Sequence, residues 1–101
     1  MLSFEKSRDR LTVRLDGELD HHNADHLRLE LDKLIRDPKI HRLVFDLSGV
    51  SFMDSSGIGL IIGRYKILSR RGGSVAVAKA VPRVDRIFEM AGLYQIIEKL
   101  A

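Results

Sequence analysis

Two short segments carry the residues whose types and spacing could do chemistry. In the first, Asp54, Ser55, Ser56 and Gly57 stand between apolar runs, so a carboxylate and two hydroxyls gather where a strand gives way to a helix. A helix start presents unpaired N–H groups and the positive end of the helix dipole. Those amides would hold a phosphate placed on a serine there, and the phosphate would bring a charge of about −1.5 to −2. The same residue types also do ordinary N-capping, but a cap needs one of them and this turn supplies three. The second segment is Gly17-Glu18-Leu19-Asp20-His21-His22, which also leaves a strand and enters a helix. Asp20 there is placed either to meet a basic group on a partner or to cap the helix that follows.

Catalytic readings of these residues fail on spacing. A nucleophile elbow needs glycines on both sides of its serine, and here the glycines follow. A phosphate-binding P-loop would need G-x-x-x-x-G-K-[ST], which does not occur. His22 and His26 lie one helical turn apart with Asp25 beside them, yet no third ligand stands at zinc spacing, so no metal site is expected. A phospho-aspartate receiver would use Asp46 and Lys79. It would also need an acidic pair from a first strand-to-helix turn, and the first two strands form a hairpin instead.

The elements that must position these segments follow from hydrophobic period. Residues 3–7 make a weak first strand, and residues 10–17 alternate cleanly, with Leu11, Val13 and Leu15 on one face. The three residues between them suit a hairpin. A helix is predicted over 22–36, where Ala24, Leu27, Leu31, Leu34 and Ile35 recur at spacings of three and four, with Asp20 or Asn23 as cap and Pro38 as stop. Residues 42–47 read as a strand covered on both faces. A second helix is predicted over 55–71, ended by Gly72-Gly73, with Gly59 and Gly63 allowing a neighbour to approach. Residues 74–78 form a further buried strand. Pro82 opens a third helix whose apolar face is Val84, Ile87, Phe88 and Ala91, and Gly92-Leu93 closes it. A last short strand is predicted over 94–98. The expected fold is α/β: one small domain over residues 1–101, a mixed and mostly parallel sheet with an N-terminal antiparallel hairpin and flanking helices.

The whole chain narrows the function classes. With 101 residues there is room for one core, and a hydrophobic content of 45% is that of a globular chain. Cysteine is absent, so neither disulfide nor zinc-thiolate staples are available, which suits a reducing cytoplasm. Charged residues from Glu5 to Arg10 interrupt the pattern of a secretory leader, and the apolar stretch from Ile58 to Ile62 is far too short to span a bilayer. A cytoplasmic protein without membrane contact is expected. The net charge of +3 comes from 17 basic and 14 acidic residues scattered along the chain, and tryptophan is absent. Arg64, Lys66, Arg70 and Arg71 cluster only loosely and read as a solvated helix face, so direct DNA binding is not expected.

The stretches LTVRLDGELDHHN (11–23), FMDSSGIGLIIGRYK (52–66) and FEMAGLYQII (88–97) resemble the STAS domain family, and within it the anti-sigma-factor antagonists of bacterial partner switching. The resemblance covers nearly the whole chain. It implies that the unphosphorylated protein binds an anti-sigma factor that is also a serine kinase, carrying its own ATP or ADP, and so frees a sigma factor. Phosphorylation would fall on the serine directly after the aspartate, Ser55, and end the binding, and a serine phosphatase would reset the cycle. The partner surface implied is Asp20, His21, Asp54, Ser55, Ser56 and Gly57, with Asp20 as the acidic contact to a kinase arginine. On this reading the chain is a substrate, not an enzyme, and needs no cofactor. A STAS module serving general stress or nucleotide sensing, or a stand-alone small-molecule domain, are the competing functions. The family usually continues into a C-terminal helix where this sequence has only Leu100 and Ala101, so an uncovered apolar face, or a homodimer that covers it, is a further expectation.

Overall fold

The computed structural model describes residues 2–100. Strand β1 (Leu2–Ser7) turns through Arg8, held at φ 56°, into β2 (Arg10–Leu19), and the two pair antiparallel. Then come α1 (Ala24–Ile35), β3 (Arg42–Met53), α2 (Ser55–Arg70), β4 (Ser74–Ala78), α3 (Pro82–Met90), a 3-10 turn (Leu93–Gln95) and β5 (Glu98–Leu100). The five strands lie in the order β1-β2-β3-β4-β5, and every pair after the first is parallel. This is the single α/β domain, with its N-terminal hairpin, that the periodicity predicts.

Register decides which side chains meet. Leu11 and Val13 on β2 stand beside Leu43 and Phe45 on β3, which stand beside Val75 and Val77 on β4. All six are buried, and they form one cluster with Leu27, Leu31 and Ile35 of α1, Leu60, Ile61 and Leu68 of α2, and Val84 and Phe88 of α3. Right-handed crossovers between sequential neighbours carry successive helices to the same face of the sheet. Lys99 agrees with this: it shares register with Val77 and reaches Asp85 on α3 at 3.1 Å. The reverse face is mixed: Val44 and Ala76, in register with each other, are buried on it, and toward the ends of β2 and β3 it is polar. There Arg14 donates to Ser48 Oγ at 3.0 Å, and Ser48 donates to Asp46 at 2.7 Å.

Several elements differ from the sequence reading. β3 runs to Met53 rather than stopping at Leu47, and β2 runs to Leu19 rather than to Gly17. The pairing slips between Arg14 and Asp16, and again between Gly17 and Glu18, each time leaving one extra residue on β3. Two bulges therefore place Leu47, Val50 and Met53 inward at spacings of three, and all three are buried. Alternation is lost, and with it the signal for a strand. Residues 94–98 are not a strand; the 3-10 turn seats Leu93 and Ile97 in the core, and pairing begins only at Glu98. Leu100 belongs to β5, and Ala101 lies outside the described residues. On α3, Ile87 is only half-buried and Ala91 is exposed at the helix end.

Only half of the basic cluster is a solvated face: Lys66 and Arg70 are exposed, while Arg64 and Arg71 turn toward α1 and the chain that follows it. Arg64 is 6% exposed and sits 3.1 Å from Asp32 of α1, a charge pair without the alignment of a hydrogen bond. Burial lowers the Arg64 pKa, and the Asp32 charge opposes that shift. Arg71 turns back to donate to the carbonyls of Ile35, Asp37 and Ile40, which ties the end of α2 to the end of α1. Gly72, at φ 77°, and Gly73 close α2 at the stop the sequence predicts, with N–H bonds to the Ser69 and Leu68 carbonyls respectively that make a Schellman pair.

Candidate functional site

The site is built where β2 and β3 outrun β4. Beyond Asp46 and Ala78, β3 pairs with β2 alone, up to the Leu19–Met53 step. The next residues, Asp20 and Asp54, leave the sheet side by side, and the Asp54 N–H donates to the Leu19 carbonyl at 3.2 Å. The two segments singled out by their chemistry are thus adjacent in space.

Asp54 caps α2. Its Oδ1 accepts the Ser56 N–H at 2.8 Å, and its carbonyl accepts from the amides of Gly57 and Ile58. Burial works to raise its carboxyl pKa, but the amides of Ser56 and Gly57 and the Ser56 hydroxyl outweigh that, so the pKa lies below the usual 3.8. With the capping duty met by Asp54, Ser55 stands exposed as the first residue of the helix, and Ser56 is half-buried behind it.

Gly57 explains the closeness of the turn. A Cβ there would overlap the Met53 side chain and stand 3.0 Å from the Leu19 carbonyl oxygen, so only glycine lets α2 leave the sheet this close to β2. At Gly59 and Gly63, in contrast, a Cβ would meet nothing within 4 Å, and no neighbour approaches them. Gly59 instead lines a shallow groove of about 390 Å³ with His21, Ala24, Asp25, Arg28, Ser56 and Leu60, open between α1 and α2.

Asp20 does not cap α1 with its side chain. Its Oδ1 accepts from the His22 N–H at 3.0 Å, while its carbonyl accepts from Asn23 and Ala24. Asn23 occupies the cap position without a capping bond. Its side chain instead accepts from the Asp20 N–H at 3.2 Å and donates to the Glu18 carbonyl. A local polar knot therefore holds residues 20–23 as a turn, which is why α1 starts at Ala24 and not at residue 22. His21 is exposed, with Nδ1 3.9 Å from Asp54 Oδ2 and its ring 4.0 Å from that of His22. His22 stands ahead of the helix, and His26 faces Glu30 at 3.2 Å. Among the described residues no three metal-ligating side chains converge. Glu18, inside the segment the sequence singled out, pairs in register with Phe52, itself 38% exposed beside this turn.

Comparison with known proteins gives this geometry a family. The STAS domain profile matches residues 2–101. The chain belongs to the STAS domain family. This STAS domain is 43% identical over 96 residues to the anti-sigma F factor antagonist of Paenibacillus polymyxa, covering 95% of the chain and 82% of that relative. It is 32% identical to the anti-sigma-B factor antagonist of Bacillus subtilis, covering 96% and 87%. Among solved structures, the anti-sigma factor antagonist SpoIIAA in its unphosphorylated form superposes with a TM-score of 0.86 at 29% identity, covering all of the STAS domain and 89% of that protein. The phosphorylated Bacillus SpoIIAA superposes at 0.78, with 28% identity and coverage of 100% and 92%. No helix of this STAS domain among the described residues is long and apolar enough to cross a membrane.

Proposed function

We propose that this chain is an anti-sigma factor antagonist of a sigma-F-type, sporulation partner switch, and that phosphorylation of Ser55 ends its binding to an anti-sigma factor with serine kinase activity. The observation that carries this reading is the division of labour at the start of α2: Asp54 does the capping and leaves the Ser55 hydroxyl exposed at the helix mouth. The higher identity to a sigma-F than to a sigma-B antagonist supports the sporulation pathway over general stress. The docked surface comprises Asp20, His21, Asp54, Ser55, Ser56 and Gly57, with Asp20 meeting a basic side chain of the partner. The partner supplies the ATP. A phosphate on Ser55 stays at the helix N-terminus, so the fold tolerates it. It adds about two negative charges beside Asp20 and Asp54 within a surface that must lose water to dock. Each ~1.4 kcal/mol of that cost weakens the complex tenfold. A serine phosphatase returns the chain to its binding form, and the chain itself acts as substrate in the cytoplasm.

The test is to incubate the protein with a kinase-type anti-sigma factor and ATP, and to map the modification by tandem mass spectrometry. Phosphate on Ser55 is expected, with Ser55→Ala still binding the kinase but no longer released. Phosphate mainly on Ser56 would overturn the assignment. Asp20→Asn should fold normally and bind several-fold more weakly; unchanged affinity would remove Asp20 from the docking surface.

A further inference from the structure

Opposite Asp20 and Ser55, three connections at the other end of the sheet are tied into one surface. The Asp9 carbonyl in the β1–β2 turn accepts from the His41 and Arg42 N–H groups at 2.8 and 3.1 Å, and the His41 carbonyl accepts from the Ser74 N–H at 2.8 Å. Arg71, after α2, holds carbonyls at the end of α1. Around this surface Arg8, Arg10, Arg36 and Arg70 are exposed, and none of them takes part in an ion pair among the described residues. The connections contain two acids, Asp9 and Asp37, and Lys6 already engages Asp37 at 2.6 Å. Helix ends favour cations, which accounts for Arg36 and Arg70. Arg8 and Arg10 flank a hairpin turn, where nothing local calls for charge, and like charges so placed repel. β5 starts from the same end, and there Met90 is 82% exposed and Ile96 46%. Phe4, exposed as well, lies mid-strand on β1 and outside this end.

We infer that this end docks on an anionic lipid surface, with the arginines on headgroup phosphates and Met90 and Ile96 dipping below them. Guanidinium forks match phosphate oxygens, and a polybasic surface with a few apolar side chains is held at a bilayer without a spanning helix. Duplex nucleic acid carries the same phosphates, but it offers Met90 and Ile96 nowhere to bury. The arginines also sit on turns and helix ends, not along one helix that could enter a groove. Held this way, the chain keeps Asp20 and Ser55 at the end facing away from the bilayer. This revises the expectation of no membrane contact, because Arg8, Arg36 and Arg70 are far apart in the chain and only the fold gathers them.

The test is co-sedimentation of the full 101-residue chain with phosphatidylcholine vesicles carrying increasing phosphatidylglycerol. Partition should rise with the anionic fraction and fall several-fold as salt is raised above physiological strength. Arg8→Glu and Arg36→Glu should each weaken it at least about fivefold. Arg83→Glu makes the same change of net charge on an exposed residue at the start of α3, on the other end, and should leave partition within about twofold of the parent. Met90→Ser should weaken it about threefold, with an unchanged circular dichroism spectrum because Met90 is exposed. No partition onto anionic vesicles, or equal partition onto neutral ones, would overturn the proposal. A loss from Arg83→Glu as large as from Arg8→Glu, or indifference to Met90→Ser, would do the same. Tighter binding to a mixed-sequence DNA duplex at the same salt would overturn it in favour of nucleic acid.

Discussion

Gly57, Gly59 and Gly63 look alike in the sequence, each a small residue early in an apolar helix, yet their surroundings are opposite. At Gly57 the missing Cβ is filled by Leu19 and Met53, while at Gly59 and Gly63 the space is open. Replacing Gly57 by alanine must push α2 off β2, and overpacking of this kind costs about 1–3 kcal/mol. Gly59→Ala removes a flexible residue from a helix interior and should stabilise the fold by up to about 1 kcal/mol. Urea unfolding of the two variants should move the midpoint in opposite directions. A Gly57→Ala protein as stable as its parent would mean the α2 start can slide outward, and the Ser55 position with it. Nothing in the local sequence separates these glycines, because part of what fills the one site comes from β2, a strand distant in the chain. The capping role of Asp54, by contrast, is legible from its position before Ser55 alone.

At the scale of elements, α1 and α2 are joined by a charge pair. Arg64 is almost fully buried, with Asp32 about a third exposed beside it. Taking charges out of water is costly, and removing one partner leaves the other uncompensated. Asp32→Ala should therefore destabilise by about 2–3 kcal/mol, since it strands the guanidinium. Arg64→Met fills similar volume without a charge and should fall within about 1 kcal/mol of the parent. Thermal melts of both variants give the order, and a larger loss for Arg64→Met would mean that the pair stabilises the seam outright. From the sequence, Arg64 belongs with its basic neighbours on a wet surface. Its burial comes from the packing of α2 against α1, which brings Asp32 beside it and which no local pattern encodes.

For the whole molecule, pH reports on carboxylates spread across the fold. Asp37 is held below 3.8 first by its bond from Lys6, and Asp85 first by its bond from Tyr94 at 2.5 Å and then by Lys99. At Asp46 and Asp54 burial pulls the other way, but hydrogen bonds from Ser48, and from Ser56 and Gly57, prevail. A carboxyl whose folded pKa lies below its unfolded value adds stability above that unfolded value and loses it as pH falls through the folded one. Stability should thus be level from neutral pH down to about 4 and fall below it. Asp85→Asn should flatten that fall, because it removes one of the linked groups. Urea midpoints measured from pH 7 to pH 2 would show this, and an unchanged acid slope would exclude Asp85 from the linkage.

Much of the architecture was written in hydrophobic period: the hairpin, the order of helices and strands, the glycine stops and the parallel sheet all follow from residues a few positions apart. So do the two chemical segments, because a carboxylate and serines at a helix start are a local feature. What the sequence by itself could not determine is whatever depends on a distant partner. The second halves of β2 and β3 exist because each supports the other across two bulges, and bulges erase the alternation by which a strand is recognised. Only that paired extension brings Asp20 and His21 beside Asp54 and Ser55 and makes one surface of two motifs. Tertiary contact also decided which glycine must stay a glycine, which arginine is dry, and that a phenylalanine in the first strand faces solvent.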